Sequence, residues 1–120
     1  MNERKWLPTF ADLIDRLSIH QLKEVFVPEN KKEYTKGMDD IEHDLNLLIK
    51  TNNVQLTGEL IRAIIILAQI NEHIWYNESK VRNGEEQDLS LLKLTHGLNG
   101  IRSQVMNYIK HISNESDRLD

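Results

Sequence analysis

No cysteine occurs anywhere in the chain. That excludes disulfides, thiolate metal sites and cysteine nucleophiles together, and it suits a reducing compartment. Long apolar runs are missing too: the longest, from Ile64 to Ala68, lies between Arg62 and Gln69 and is far too short to span a bilayer. The opening Met-Asn-Glu-Arg-Lys-Trp-Leu-Pro offers no apolar core of signal-peptide length, so a cytoplasmic location is expected. Nor is there a basic stripe. The net charge is -4, and Lys31 and Lys32 are followed at once by Glu33. General nucleic-acid binding and membrane-surface binding are therefore not expected. One or two well-placed arginines would still suffice to hold a small phosphate.

What is present reads as helix. At 120 residues the chain has room for one domain, which buries roughly two thirds of the surface its unfolded form exposes. The 39% apolar and 28% charged content fits amphipathic helices with solvated outer faces. Thr9 follows Pro8 and precedes Asp12 by three residues, a capping-box variant that opens a first helix over 9–27. Phe10, Leu13, Ile14, Leu17, Leu22, Val25 and Phe26 give it an apolar face, and Pro28 stops it.

A second helix is predicted over 30–51. Its seam is Tyr34, Met38, Ile41, Leu45 and Leu48, with Gly37 a weak point, and Thr51-Asn52-Asn53 forms the turn that follows. Thr57 caps a third helix over 57–83, where Leu56 and Ile61 are spaced as a hydrophobic staple. Between Leu60 and Ile70 that helix is apolar almost all round. Such a helix is expected at the centre of a bundle, with Ile64, Leu67 and Ala68 inside. It stops at Asn83-Gly84.

The fourth helix, over 88–113, carries Leu91, Leu94, Leu98, Ile101, Val105, Tyr108 and Ile112 as a three-four seam. Gly97 and Gly100 beside the seam would admit close approach of another helix. Residues 114–120 are polar and expected to fray. Short connections make an all-α, up-and-down bundle of four main helices in one domain the simplest topology. Leu89, Leu92 and Met106 lie off the fourth seam, and an extra apolar face points to a homo-oligomer.

Chemistry is harder to find. His20, His43, His73, His96 and His111 never recur at a spacing of four, and no His-Glu-x-x-His run is present. Glu42 and Glu72 directly precede His43 and His73, so each pair faces different sides of its helix, unlike the Glu-x-x-His of di-iron bundles. No metal ligand and no cofactor is expected. A magnesium-dependent nucleotide pyrophosphohydrolase would need acidic pairs on facing helices. Glu72 and Glu78 do not share a face, and Asp39, Asp40, Glu42 and Asp44 read as a solvated one. No catalytic residue is assigned.

One polar line stands out. On the third helix Asn71, Glu78 and Arg82 accompany the apolar stripe Leu67, Ile70, Ile74 and Val81, with Trp75 between them; on the fourth, Thr95, Asn99 and Arg102 run beside Leu98 and Ile101. Asp15 and Lys23 lie near the apolar edge of the first. Polar groups at core-edge positions cost free energy unless paired. One reading is a buried network, for example Glu78 with Arg82 or Arg102, that fixes helix register. The other is a ligand pocket of Asn71, Trp75, Glu78, Arg82, Asn99 and Arg102, with Asp15 and Lys23, suited to a nucleotide or sugar phosphate. In the second reading, two arginines against Glu78 would leave a positive excess.

The stretch Leu13-Ile14-Asp15-Arg16-Leu17-Ser18-Ile19, then Lys23, then Asn71-x-x-Ile74-Trp75-x-x-Glu78-x-x-x-Arg82, resembles a family of small uncharacterised helical proteins found in tailed phages and beside bacterial glycan-synthesis genes. A late helix there carries an Asn followed by an Arg, as Asn99 and Arg102 do here. The resemblance covers roughly residues 10–110. It departs where the family tends to have Glu-Asp and this chain has Asn77-Glu78-Ser79, which leaves no acidic pair there for a metal. The resemblance implies an all-α fold, a plausible phage origin and hence a host-cell cytoplasm. Such proteins commonly act by binding, and the expectation is a non-enzymatic protein that sequesters a small anionic, nucleotide-type signal. The alternatives are a protein–protein adaptor with no small ligand and, third, the pyrophosphohydrolase.

Overall fold

The computed structural model describes residues 8–82 and 89–113, and side chains over 8–80 and 93–113 within them. Among the described residues there are four helices, α1 (Phe10–Phe26), α2 (Lys31–Thr51), α3 (Gly58–Arg82) and α4 (Leu89–Ile112), with one 3-10 turn at Pro28–Asn30. No strand occurs among the described residues. The stop at Asn83-Gly84, the start at Asp88 and the tail 114–120 lie outside them.

Local chemistry sets the helix ends. The Asp12 N–H donates to Thr9 Oγ1 and the Thr9 N–H donates to Asp12 Oδ2, both at 3.1 Å, which completes the capping box of α1. At the end of α2, Asn53 takes a left-handed φ of 52°, a conformation Asn tolerates better than most residues. That bend lets the Val54 N–H reach the Ile49 carbonyl at 3.0 Å, a bond of the Schellman kind, and buries Val54. Thr57 Oγ1 accepts from the Leu60 N–H at 3.1 Å and caps α3. Leu56 stays 77% exposed and Ile61 44%, so the expected staple shelters neither.

The helix at the centre is α1, not α3. Among the described residues α1 packs against α2, α3 and α4, α3 packs on α1 and α4, and α2 packs on α1 alone. Phe10, Ala11, Leu13 and Ile14 from α1 meet Ile41, Leu45 and Leu48 of α2, Leu60, Ala63 and Leu67 of α3, and Ile109 of α4 in one core. Leu67 is fully buried. Ile64 and Ala68 are only partly covered, and Ile61 and Ile65 face outward. An all-round apolar helix has thus been placed at the edge, with its surplus toward solvent. The outer end of α1 is bare as well, with Val25 67% and Phe26 58% exposed.

The face that α4 buries is also rotated from the expected seam. Ile109 is wholly inside, while Leu94, Ile101 and Tyr108 are exposed. The buried line runs through Leu98, Arg102, Val105 and Ile109, which keeps the four-three spacing but moves it by part of a turn. This rotation turns Gly97 and Gly100 outward, where an added Cβ would meet nothing within 4 Å. No helix approaches closely there. Met106 packs against the core, so it adds nothing to an outer face, and the side chains of Leu89 and Leu92 lie outside the described residues. The glycine that does admit a close approach is Gly37. A Cβ there would stand 2.9 Å from the His20 ring, which is held by an Nδ1–H bond to the Arg16 carbonyl at 2.9 Å and stands edge-on to Tyr34.

Two outcomes follow for denaturant melts. Leu67→Ala should cost about 2–5 kcal/mol, and a loss within the range of a surface site would contradict its burial. Gly37→Ala should destabilise the wild type by about 1 kcal/mol through the ring contact, yet stabilise a His20→Ala background by about 1 kcal/mol through helix propensity. The same effect in both backgrounds would rule the contact out.

Candidate functional site

Asp15 sits one turn beyond Ala11 on the buried face of α1, and its carboxylate is 5% exposed. A charge so placed persists only when it is paired and hydrogen-bonded. Two residues do this, and a third braces them. Arg102 on α4 donates from Nε to Oδ1 at 2.9 Å and from Nη2 to Oδ2 at 2.5 Å, the two-pronged geometry that a planar guanidinium makes with a carboxylate. Asn71 on α3 donates from Nδ2 to the same Oδ1 at 2.8 Å and to Ser18 Oγ at 2.7 Å. The Ser18 hydroxyl donates in turn to the Asp15 backbone carbonyl at 2.8 Å. Further out, Arg102 Nη1 reaches toward Asn99 Oδ1 at 3.5 Å, and Asn99 Nδ2 donates to the Thr95 carbonyl at 3.1 Å.

The partner of Arg102 is therefore Asp15 rather than Glu78. Because α1 is the helix that touches both α3 and α4, its carboxylate reaches the guanidinium first, and Glu78 remains exposed. The hydrogen bond with Asp15 raises the Arg102 pKa above its ordinary value, against the opposing effect of burial. The charges of Asp15, Glu78 and Asp12 add to the rise. Among the described side chains Lys23 and Arg102 stand against Asp15 and Glu78, and the expected positive excess also counted Arg82. The Arg82 side chain lies outside the described residues.

Above this network a cleft of about 340 Å³ opens between α1, α3 and α4, at the small end of the range for ligand sites. Of the eight residues singled out from sequence, six line it: Lys23, Asn71, Trp75, Glu78, Asn99 and Arg102. Asp15 lies behind the wall, bonded to Asn71 and Arg102. Ile19 and Leu22 of α1 and Ile74 of α3 supply its apolar lining. Spacing places Leu22 and Ile74 in apolar stripes, while Ile19 enters only through the resemblance. Ser18, also quoted only there, is not assigned to the polar line, although its position three residues from Asp15 puts it on the same face.

Lys23 has no ion-pair partner among the described residues; its ammonium lies 5.8 Å from the Tyr34 ring centre. Arg102 keeps 30% of its side chain exposed, so one edge of the guanidinium is open beside it. A larger hollow, about 830 Å³, lies at the α1–α2 turn. Its walls come only from the stretch 28–39 and mix lysines with acids, so it is the groove of one turn. Among the described residues no three His, Asp or Glu side chains gather as a metal would require, and no helix is long and apolar enough to cross a membrane.

No family model, curated protein or solved structure matches the chain. The resemblance to small phage helical proteins rests on the residues quoted for it.

Removing Arg102 would leave Asp15 buried with only the Asn71 amide. Arg102→Ala should therefore cost about 3–5 kcal/mol in a urea melt. The loss should shrink when Asp15 is already alanine, because the pair acts as a unit. An Arg102→Ala protein as stable as wild type would show that the pair holds nothing together.

Proposed function

We propose that the protein is a non-enzymatic binding protein that holds a small anionic ligand of nucleotide type in the cleft between α1, α3 and α4. The observation that carries this reading is the convergence of Lys23, Asn71, Trp75, Glu78, Asn99 and Arg102 on one hollow from three helices. The roles divide by burial. Asp15 neutralises most of the guanidinium, so Lys23 and the open edge of Arg102 are what an anion meets. Asn99 and Glu78 offer a donor, an acceptor and a carboxylate for hydroxyl or amino groups, and Trp75 offers an aromatic surface. Among the described side chains, Lys23 and Arg102 against Asp15 and Glu78 suit one phosphate group better than a triphosphate. A phage origin, which the resemblance implies, would make the ligand a host signal held in the host-cell cytoplasm.

The pyrophosphohydrolase reading has less to build on, since Glu72 and Glu78 are both exposed on different sides of α3. The adaptor reading keeps one specific observation. Leu94, Ile101 and Tyr108 form an exposed line on α4, and Ile61 and Ile65 another on α3. Exposed apolar lines of this kind fit a homo-oligomer or a protein partner. A light-scattering mass near the 14.1 kDa of one chain at high concentration would count against self-association.

Thermal-shift screening against nucleotides and cyclic dinucleotides, with and without magnesium, tests the first reading. A ligand at one hundred times its dissociation constant should add about 2.7 kcal/mol of stability. Lys23→Ala should lose that shift while its own melt moves little, because the cation–π contact with Tyr34 is worth only about 0.5–1 kcal/mol. Stabilisation that survives in Lys23→Ala would place the ligand elsewhere, and turnover that needs magnesium would revive the enzyme reading.

A further inference from the structure

A second cleft adjoins the first. It measures about 640 Å³ and is lined by Phe26 and Val27 from the end of α1 and by Glu72, His73, Trp75, Tyr76 and Ser79 of α3. Trp75 lines both clefts, so the indole is the wall they share. The chemistry on its two sides differs. Toward Lys23 and Arg102 the walls are charged and amide-bearing; toward Phe26 and Tyr76 they are aromatic. Phe26 and Tyr76 are each 58% exposed, so both present aromatic surface at this cleft. Glu72 at the edge of the aromatic cleft offers an acceptor, a group that reads amino substituents.

We infer that the ligand is a two-part molecule, an aromatic heterocycle joined to one phosphate, as in a nucleoside monophosphate. Its ring lies in the Phe26–Trp75–Tyr76 cleft and its phosphate lies past Trp75, at Lys23 and the open edge of Arg102. This rests on the binding reading above and adds to it the ligand class and orientation. The aromatic cleft alone would take any apolar group, and the polar cleft alone any small anion. Their junction at one indole selects a compound carrying both. Lys80 lies 4.8 Å from the Tyr76 ring centre, so a cation also stands at the aromatic side, and the orientation has to be tested against it.

The chain has two tryptophans, and a Trp6→Phe variant leaves Trp75 as the sole reporter. Its fluorescence is titrated with AMP, GMP, CMP and UMP, with adenosine, with inorganic phosphate, with phenyl phosphate and with dodecyl phosphate. At least one nucleoside monophosphate is expected to quench saturably, at least tenfold more tightly than either adenosine or inorganic phosphate. Lys23→Ala should bring that nucleotide to the level of its nucleoside, while Phe26→Ala, at an exposed position that leaves the melt unchanged, should weaken nucleotide and nucleoside alike. If inorganic phosphate binds in a Lys23-dependent way and a ring adds nothing, the two-part ligand is wrong and the binding reading stands. If dodecyl phosphate binds more tightly than every ring compound, the aromatic class is wrong. If Lys80→Ala rather than Lys23→Ala removes the phosphate contribution, the orientation is wrong. If no compound in the panel binds, the inference fails together with the reading it rests on.

Discussion

Everything around the cleft depends on one buried carboxylate. Asp15 lies on the helix that touches all the others, and its two oxygens accept from a guanidinium on α4 and an amide on α3. Apolar packing alone would allow α3 and α4 to slide by a turn against α1, because leucine and isoleucine stripes are tolerant of register. A carboxylate that must meet both Arg102 and Asn71 is not tolerant: one turn of slip moves a partner by about 5.4 Å and leaves a buried charge bare. The network therefore sets the register of three helices, and in doing so it sets which side chains look into the hollow above it.

Much of this was legible in the sequence, and the residues that misled share a cause. Capping chemistry is local, so Thr9 with Asp12, Thr57 and the Asn52-Asn53 turn announced helix ends without any knowledge of the fold. Polar residues interrupting an apolar stripe are equally visible, which is how Asn71, Arg102 and Asp15 came to be singled out. Pairing was not visible. Spacing offers Glu78 as a partner for Arg82 or Arg102, whereas the carboxylate that Arg102 meets comes from α1, 87 residues away in sequence. Spacing along one helix says which residues share a face and nothing about which other helix that face meets.

The same limit explains the misplaced centre. An apolar surplus on α3 implied a central helix, since a central helix needs apolar residues on several sides. The converse does not hold, and a helix can carry Ile61 and Ile65 on an open face. Centrality belongs to α1, which is shorter and only ordinarily amphipathic but lies where three contacts are made. On α4 the regular seam through Leu94, Ile101 and Tyr108 was the more conspicuous pattern, yet the buried line includes an arginine. A half-buried Arg102 is explained only once Asp15 is in place, and of the regular seam's described side chains only Leu98, Val105 and Ile112 are covered.

The network and the pocket were first set against each other as rival accounts of one polar line, and their geometry makes them layers of a single arrangement. Asp15, Ser18 and Asn71 are more than nine-tenths buried and bonded to one another, so their work is to hold register. Lys23, Asn99, Trp75 and Glu78 stand above them, half-buried or exposed. Arg102 belongs to both layers, with two nitrogens committed to Asp15 and a third directed outward toward Asn99. A guanidinium already fixed by a buried carboxylate presents its remaining edge in one orientation, which lowers the entropy lost when an anion arrives. The same carboxylate cancels most of its charge, so that fixed edge supplies direction and Lys23 supplies attraction. Stability and binding thus rest on different atoms of the same line, and a substitution can remove one without the other only on the Lys23 side.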